Sequence, residues 1–209
     1  MNELQKSYDA IAENYAIEYQ HELNQKPFDR KILDWLIEEV NGRGIICDMG
    51  CGPGQIARYL KDHGAETFGV DLSEGMVKEA TRLNPEIAFE QGDMFALSKI
   101  TDSSIAGIAA FYSIVHIPSH ALVNAFREFI RVLIPGGVLL LSFHVGSEEV
   151  HRDEWWGKEV SIDFFFFETE EIKRYLGDAG FVLSEVIQRD PNAEVEYPSR
   201  RSYIFANKI

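Results

Sequence analysis

From residue 3 to residue 40 apolar side chains recur at helical spacing. Leu4, Tyr8, Ile11, Tyr15 and Tyr19 define one amphipathic helix over 3–20. Pro27 opens a second, which runs to Val40 on a stripe of Ile32, Leu33, Leu36, Ile37 and Val40 and stops at Asn41-Gly42. The period then shortens. Gly44-Ile45-Ile46-Cys47 is a solid apolar run, the pattern of a strand buried on both faces. Strands and helices alternate from there. Gln55 to Asp62 reads as a helix ended by Gly64, and Thr67 to Val70 as a strand that stops at Asp71. Ser73 caps a helix through Arg82, with Glu74 in its first turn. Ile87 to Glu90 and Ser104 to Phe111 read as strands, Ala121 to Val132 as a helix, and Gly137 to His144 as a further strand. This alternation predicts a doubly wound, mostly parallel α/β sheet.

The last quarter changes character. Residues 147 to 158 are polar with two tryptophans, and 159 to 167 are extended and end in a run of phenylalanine. Thr169 to Ala179 is a helix stopped by Gly180. Phe181 to Gln188 and Arg201 to Asn207 are strands with no helix between them, which predicts an antiparallel hairpin at the sheet edge and brings the strand total to seven. No repeat or flexible linker interrupts the 209 residues, so one domain is expected over 1–209. Residues 1–40 would be a helical lid and 145–167 an insert beside the functional end of the sheet.

Charge narrows the partners. The formal net charge is −14, and the only adjacent basic pairs are Arg30-Lys31, Lys173-Arg174 and Arg200-Arg201. Such a surface repels phosphate backbones and anionic lipid, so neither nucleic acid nor membrane is expected as a partner. The opening residues, Met-Asn-Glu-Leu-Gln-Lys, lack the apolar run of a signal peptide. Cys47 and Cys51 are the only thiols; unpaired, they suit a reducing cytoplasm, and no metal-ligand spacing surrounds them. A monomer or a homodimer is expected.

The segment Asp48-Met49-Gly50-Cys51-Gly52-Pro53-Gly54 carries the chemistry. It sits between a strand and a helix, where ligands of such sheets bind, and its glycines let backbone approach a ligand closely. A dinucleotide loop places Gly or Ala where this chain has Gln55, and no Gly-Lys-Ser/Thr follows to make a phosphate loop. The segment resembles motif I of the class I S-adenosylmethionine-dependent methyltransferases in Asp48, Gly50, Gly52 and Gly54. The resemblance continues in Gly69-Val70-Asp71-Leu72-Ser73, in Gly92-Asp93-Met94, in Pro135-Gly136-Gly137 and in the terminal hairpin. It implies a Rossmann-like seven-stranded fold with S-adenosylmethionine as cofactor. Asp71 would hold the ribose hydroxyls, Asp93 the adenine amine and Asp48 the ammonium group, its charge also favouring the sulfonium. Cys51, Leu72, Met76, Met94, Phe95 and Tyr112 would complete the cofactor wall. Ser7-Tyr8-Asp9-x-x-Ala12-x-x-Tyr15 is similar to the opening of many small-molecule methyltransferases, where this helix covers the cofactor. Tyr8 and Tyr15 become candidate contacts on that likeness; core-facing positions of an amphipathic helix would read the same.

Methyl transfer asks mainly for alignment and dryness, and for a base only when the acceptor must lose a proton. Phe111-Tyr112-Ser113-Ile114-Val115-His116-Ile117 follows the fourth strand without the Asn-Pro-Pro-Tyr/Phe pattern of enzymes that methylate nucleobases and protein amides, which points to a small-molecule acceptor. His116 is the candidate base, against a histidine that only bonds backbone. His144, Trp155, Trp156, Tyr197 and Arg201 are candidate walls of the acceptor pocket. The phenylalanine run at 164–167 reads first as strand core and second as a further wall of that pocket, and Trp155-Trp156 reads equally as a dimer or lid contact. Two other readings stand beside methyl transfer: a cofactor-binding subunit without catalysis of its own, and an NAD-dependent oxidoreductase, which Gln55 disfavours.

Overall fold

The computed structural model describes residues 3–209; Met1 and Asn2, which fall in the expected 1–209 domain and 1–40 segment, lie outside the described residues. Two helices come first. They are α1 (Glu3–Tyr19) and α2 (Pro27–Val40), the second opened by its proline and closed by Asn41 in the left-handed region at φ 47. The alternating series follows as β1 (Ile46–Met49), α3 (Gln55–Asp62), β2 (Thr67–Asp71), α4 (Glu74–Leu83), β3 (Ala88–Gln91), β4 (Ile105–Phe111), α5 (Ser119–Val132) and β5 (Leu133–His144). After β5 come the hairpin β6 (Glu149–Trp155) and β7 (Lys158–Phe165), then α6 (Thr169–Ala179), β8 (Phe181–Arg189) and β9 (Arg201–Lys208).

Seven strands form one sheet in the order β3-β2-β1-β4-β5-β9-β8. The first five are parallel, and β9 inserts antiparallel between β5 and the edge strand β8. Period-two alternation on β5 sends Val138 and Leu140 to α2 and α3, where Leu33, Leu36 and Leu60 bury. Leu139, Leu141 and Phe143 face the other way, onto Phe126 and Phe129 of α5 and Leu176 of α6. Helices therefore cover both faces, which is why these strands read as solid apolar runs. Strand order reverses between β1 and β4, and that switch opens a crevice beyond their C-terminal ends.

The sequence pattern misses one strand. Residues 147 to 158 contain strand β6, paired antiparallel with β7. Mostly exposed charged residues on β6 hide the alternation that would reveal a strand. Its turn is Trp156-Gly157, both at positive φ (52 and 73), the tight hairpin geometry matched to strand twist. Strand β5 likewise starts earlier than its pattern, at Leu133, which pairs with Ile105. The phenylalanine run also divides. Phe165 packs on the main core and Phe167 is fully buried, whereas Phe164 and Phe166 face an open cleft.

The β6–β7 hairpin leans on α1 rather than on the main sheet. Ile11, Val160 and Ile162 make a small separate core with Leu4, Tyr8, Tyr15 and Trp155 around it. Ser7 Oγ accepts the Ser161 N–H at 2.8 Å and pins helix to hairpin. Both cysteines are free and buried, and no helix among the described residues is long and apolar enough to cross a membrane.

Ile162 is fully buried in the small core, so Ile162→Ala should cost about 2–5 kcal/mol there. The amides of α1 and β7 should exchange with solvent faster than those of α5 and β5. Uniform acceleration across the chain would show that hairpin and helix do not open as a unit.

Candidate functional site

A cleft of about 620 Å³ lies at the C-terminal ends of the parallel strands, walled by α1, the β6–β7 hairpin and the loops after β1, β2, β3 and β4. The loop after β1 reaches it through three glycines at positive φ, Gly50 (75), Gly52 (50) and Gly54 (84). A Cβ on Gly50 would sit 2.4 Å from Ser113 Cβ, so the loop passes closer to the segment after β4 than any side chain allows. The N–H groups of this loop all point inward. Those of Gly50 and Cys51 donate to the Val70 carbonyl, that of Gly54 to the Cys51 carbonyl, and that of Gly52 to Asp71 Oδ2 at 2.8 Å. A phosphate-binding loop needs such groups turned outward. This one has none to offer a pyrophosphate.

Asp71 ends β2 at the cleft. Its Oδ1 accepts the Ser73 N–H at 2.8 Å, and burial pushes the carboxyl up to about 6. Asp93 lines the cleft with Met94 and Phe95 beside it, and its Oδ1 accepts the Phe95 N–H at 2.9 Å. Leu72 and Met76 add apolar wall, and Ser73 Oγ caps α4 by accepting the Met76 N–H. The sequence reading passes over Asp9, although it lies in the α1 motif. Its Oδ1 accepts from Ser73 Oγ at 2.6 Å and from the Gly75 N–H at 2.8 Å, so α1 is fastened to the start of α4. Gly75 permits this approach, because a Cβ there would meet the Asp9 backbone and Ala12 at 3.0 Å.

Three expected site residues do not line the cleft: Asp48, Gly54 and Trp156. Asp48 is 1% exposed beneath the loop, where Oδ2 accepts the Ala57 N–H at the start of α3. Burial pushes its carboxyl up to about 8, so at neutral pH it supplies an acceptor oxygen and not the expected charge. Gly54 faces inward, since a Cβ there would lie 2.7 Å from Phe89 Cζ. Trp156 stacks on Trp155 at 4.8 Å, and only Trp155 reaches the cleft.

His116 is more constrained than its sequence suggests. Its Nδ1–H donates to the Asp163 carbonyl of β7, and its Nε2 accepts the Tyr8 hydroxyl, both at 2.8 Å. Burial lowers the imidazole to about 4, so it is neutral with both nitrogens occupied. Tyr8 thus joins α1, His116 and the hairpin at the middle of the cleft, where Tyr15 lies 5.9 Å from the Trp155 ring. Gly50, Cys51 and Gly52 line the cleft on the loop side.

His144, Tyr197 and Arg201 line the opposite end as expected, whereas Tyr112, expected on the cofactor wall, lies with them, its ring 5.2 Å from that of His144 and its hydroxyl 3.1 Å from that of Tyr203; residues the sequence does not mark join them. Lys26 and Asp29 arrive from the start of α2 and Glu196 from the segment after β8, while Phe166, from the phenylalanine run read second as pocket wall, joins them from the segment before α6. Tyr203 ties this end together: its hydroxyl donates to Asp29 Oδ1 at 2.5 Å and accepts from Arg189 Nη2 at 2.8 Å. No local motif marks Lys26 or Asp29, because only the packing of α2 on the sheet brings them here.

The acceptors of the loop end fit the hydroxyls and amino groups of S-adenosylmethionine. That molecule carries hydroxyls, an amine and an ammonium group, which carboxylates and carbonyls receive, together with one carboxylate, and it carries no phosphate. Asp71, Asp93 and an inward-turned loop match it, and its adenine would find apolar wall in Leu72, Met76, Met94 and Phe95.

The family model for a methyltransferase domain matches residues 46–137. The chain is similar to the putative methyltransferase YqeM of Bacillus subtilis, with 28% identity over 64% of this chain and 56% of that protein. It is similar to the malonyl-(acyl-carrier protein) O-methyltransferase of Enterobacter lignolyticus, with 31% identity over 62% of this chain and 51% of that protein. The chain thus spans about half the length of these curated relatives. Among solved structures it resembles an S-adenosylmethionine-dependent methyltransferase of Methanosarcina mazei at TM-score 0.71 and 18% identity, over 79% of this chain and 92% of that one. It also resembles the magnesium protoporphyrin IX methyltransferase of Synechocystis, solved with bound SAM, at TM-score 0.66 and 21% identity, over 100% of this chain and 85% of that one.

Asp48 yields a pH dependence. Its carboxyl titrates near 3.8 in the unfolded chain and about 8 in the fold, so the stability it lends is complete below pH 3.8 and is lost as pH rises toward 8. Asp71 acts in the same sense up to about 6. Asp48→Asn keeps an acceptor for Ala57 without the titration, so the drop in urea midpoint between pH 5 and pH 8 should be smaller than in the unsubstituted protein. Equal drops in the two proteins would exclude Asp48 as its source.

Proposed function

Because the chain belongs to the class I S-adenosylmethionine-dependent methyltransferase family, we propose that it binds this cofactor at the loop end of the cleft and methylates a small molecule at the other end. The observation that carries the reading is Asp71, held by the Gly52 and Ser73 N–H groups at the cleft wall beside a loop with no outward N–H. Asp71 would receive the ribose hydroxyls and Asp93 the adenine amine. Gly50, Cys51 and Gly52 would lie along the methionine part, with Tyr8 and Tyr15 over it. Asp48 and Gly54 would act from below, by holding the loop and α3 in place. Bound S-adenosylmethionine supplies a methyl carbon made electrophilic by its sulfonium.

The chain's own work is to align the acceptor and keep water out. Helix α1 and the β6–β7 hairpin, joined by Ser7, Tyr8 and His116, act as the lid. Tyr8 and His116 also make a path for a proton. An acceptor hydroxyl would pass its proton to Tyr8 Oη as the Tyr8 proton moves to His116 Nε2, leaving an imidazolium whose Nδ1–H stays on the Asp163 carbonyl. Burial weakens His116 as a base, which restricts the relay to acceptors that give up a proton readily. Cytoplasmic work suits two free, buried thiols.

Calorimetric titration with S-adenosylhomocysteine and with NAD tests the cofactor. Saturable binding of the first alone is expected, with affinity at least about tenfold lower in Asp71→Ala, or about 1.4 kcal/mol. Binding of NAD without response to S-adenosylhomocysteine would overturn the reading. For the relay, His116→Gln should lower kcat on a hydroxyl acceptor by about 10²-fold or more with S-adenosylhomocysteine affinity unchanged. Near-normal turnover would assign His116 to the lid alone.

A further inference from the structure

A second set of cleft residues presents donors, and Lys26 brings them close to the Gly-rich loop, because its partner Glu22 also accepts from Gln55 Nε2 at 2.8 Å. Arg201 is 3% exposed and lines the cleft. Its Nη1 donates to the Tyr197 and Ser199 carbonyls at 3.0 and 2.7 Å, and its Nε lies 3.5 Å from Glu196 Oε1. Among the described residues Nη2 has no hydrogen-bond partner, and it is not sealed from the cleft. A buried guanidinium with one free arm is an unfilled site for an acceptor.

Two neighbours repeat the pattern. His144 faces Arg201 across the β5–β9 ladder, and Ser199 Oγ lies 2.7 Å from its Nδ1. Ser199 Oγ can donate to Nδ1 or accept from it, and a carboxylate in the cleft selects the tautomer in which the hydroxyl donates and the ring proton sits on Nε2, which has no partner among the described residues. Burial, then Arg201 and Lys26, hold this imidazole down at about 4, so it is neutral and the field at the ring is positive. Lys26 Nζ lies 5.9 Å above the Tyr112 ring and contacts Glu22, with protons left over.

The carboxylates nearby are already engaged. Glu196 takes Arg189 through both oxygens at 2.6 and 2.7 Å and the Asn192 N–H at 2.6 Å. Asp29 holds Tyr203 and Arg189 through Oδ1 and is drawn toward Lys26. Aromatic faces complete the wall. The His144 ring stacks on Phe166 at 5.1 Å, and Tyr197 stands edge-on to both. Flat faces of this kind receive a planar group.

We propose that this compartment binds a planar compound through a carboxylate held by Arg201 Nη2, Lys26 Nζ and the Nε2–H of His144. It names the substrate class of the proposed methyltransferase and rests on that reading. In a chain of net charge −14, buried Arg201 and half-buried Lys26 make this pocket a local exception.

The test uses the full chain saturated with S-adenosylhomocysteine, with benzoate and 2-naphthoate as probes and their amides as controls, followed by ligand-detected NMR and calorimetry. The acids should bind at least tenfold tighter than the amides. Arg201→Gln should abolish that preference. Since Arg201 also holds two backbone carbonyls and its loss can unfold the loop, Lys26→Met serves as the second variant and should weaken benzoate at least fivefold. S-adenosylhomocysteine affinity should stay within twofold in both. Amides that bind as well as the acids, no binding of any acid, or a folded Lys26→Met with unchanged benzoate affinity would each overturn the proposal. Such a result beside intact S-adenosylhomocysteine binding leaves the cofactor reading standing, whereas loss of S-adenosylhomocysteine binding by the unsubstituted protein overturns both.

Discussion

Five residues after β1 turn back on themselves so tightly that each available N–H finds its acceptor inside the protein. The Gly52 N–H takes Asp71, the Gly50 and Cys51 N–H groups take Val70, and Asp48 below takes the first turn of α3. The cleft depends on this closure. It fixes Asp71 at the wall, ties β1 to β2 and to α3, and leaves no loop N–H turned toward the cleft. A loop of similar glycine content with outward N–H groups would be a phosphate cradle. Hydrogen-bond direction, and not glycine count, therefore separates one cofactor class from another.

Covering that end takes long-range contacts. Asp9 binds the start of α4, Ser7 binds β7, and Tyr8 binds His116, so three successive residues of α1 grip three different parts of the chain. Burial then sets the chemistry. His116 is neutral and doubly bonded, while His144 keeps one nitrogen free. The two imidazoles have similar depressed basicity and opposite employment, because one faces a hydroxyl and a carbonyl and the other faces open cleft between cations.

The polar network at the acceptor end shows why a strongly acidic protein can still hold a donor-rich pocket. Arg189 takes up both oxygens of Glu196 and part of Asp29, which leaves Glu196 a longer contact of 3.5 Å to Arg201 Nε and draws much of the negative charge away from the cleft cations. Removing charges from water is costly, and the ladder of bonds through Tyr203 offsets that cost.

Sequence alone determined what local rules govern. Solid apolar runs marked the buried strands, Ser73, Asn41 and Gly180 marked helix ends, and Asp71, Asp93, Gly50 and Gly52 marked positions on the cleft wall, because each of these is read within a few residues of chain. The β6 strand escaped, since its exposed face carries charges and its partners are α1 and β7, not the main sheet. Only the tertiary structure decided that Asp48 and Trp156 stand behind the wall, that Asp9 clasps α4, and that Lys26, Asp29 and Arg189 meet the last strand. Those outcomes depend on which faces pack together over separations such as Asp29 to Tyr203, and no local period encodes a contact between residues 174 positions apart.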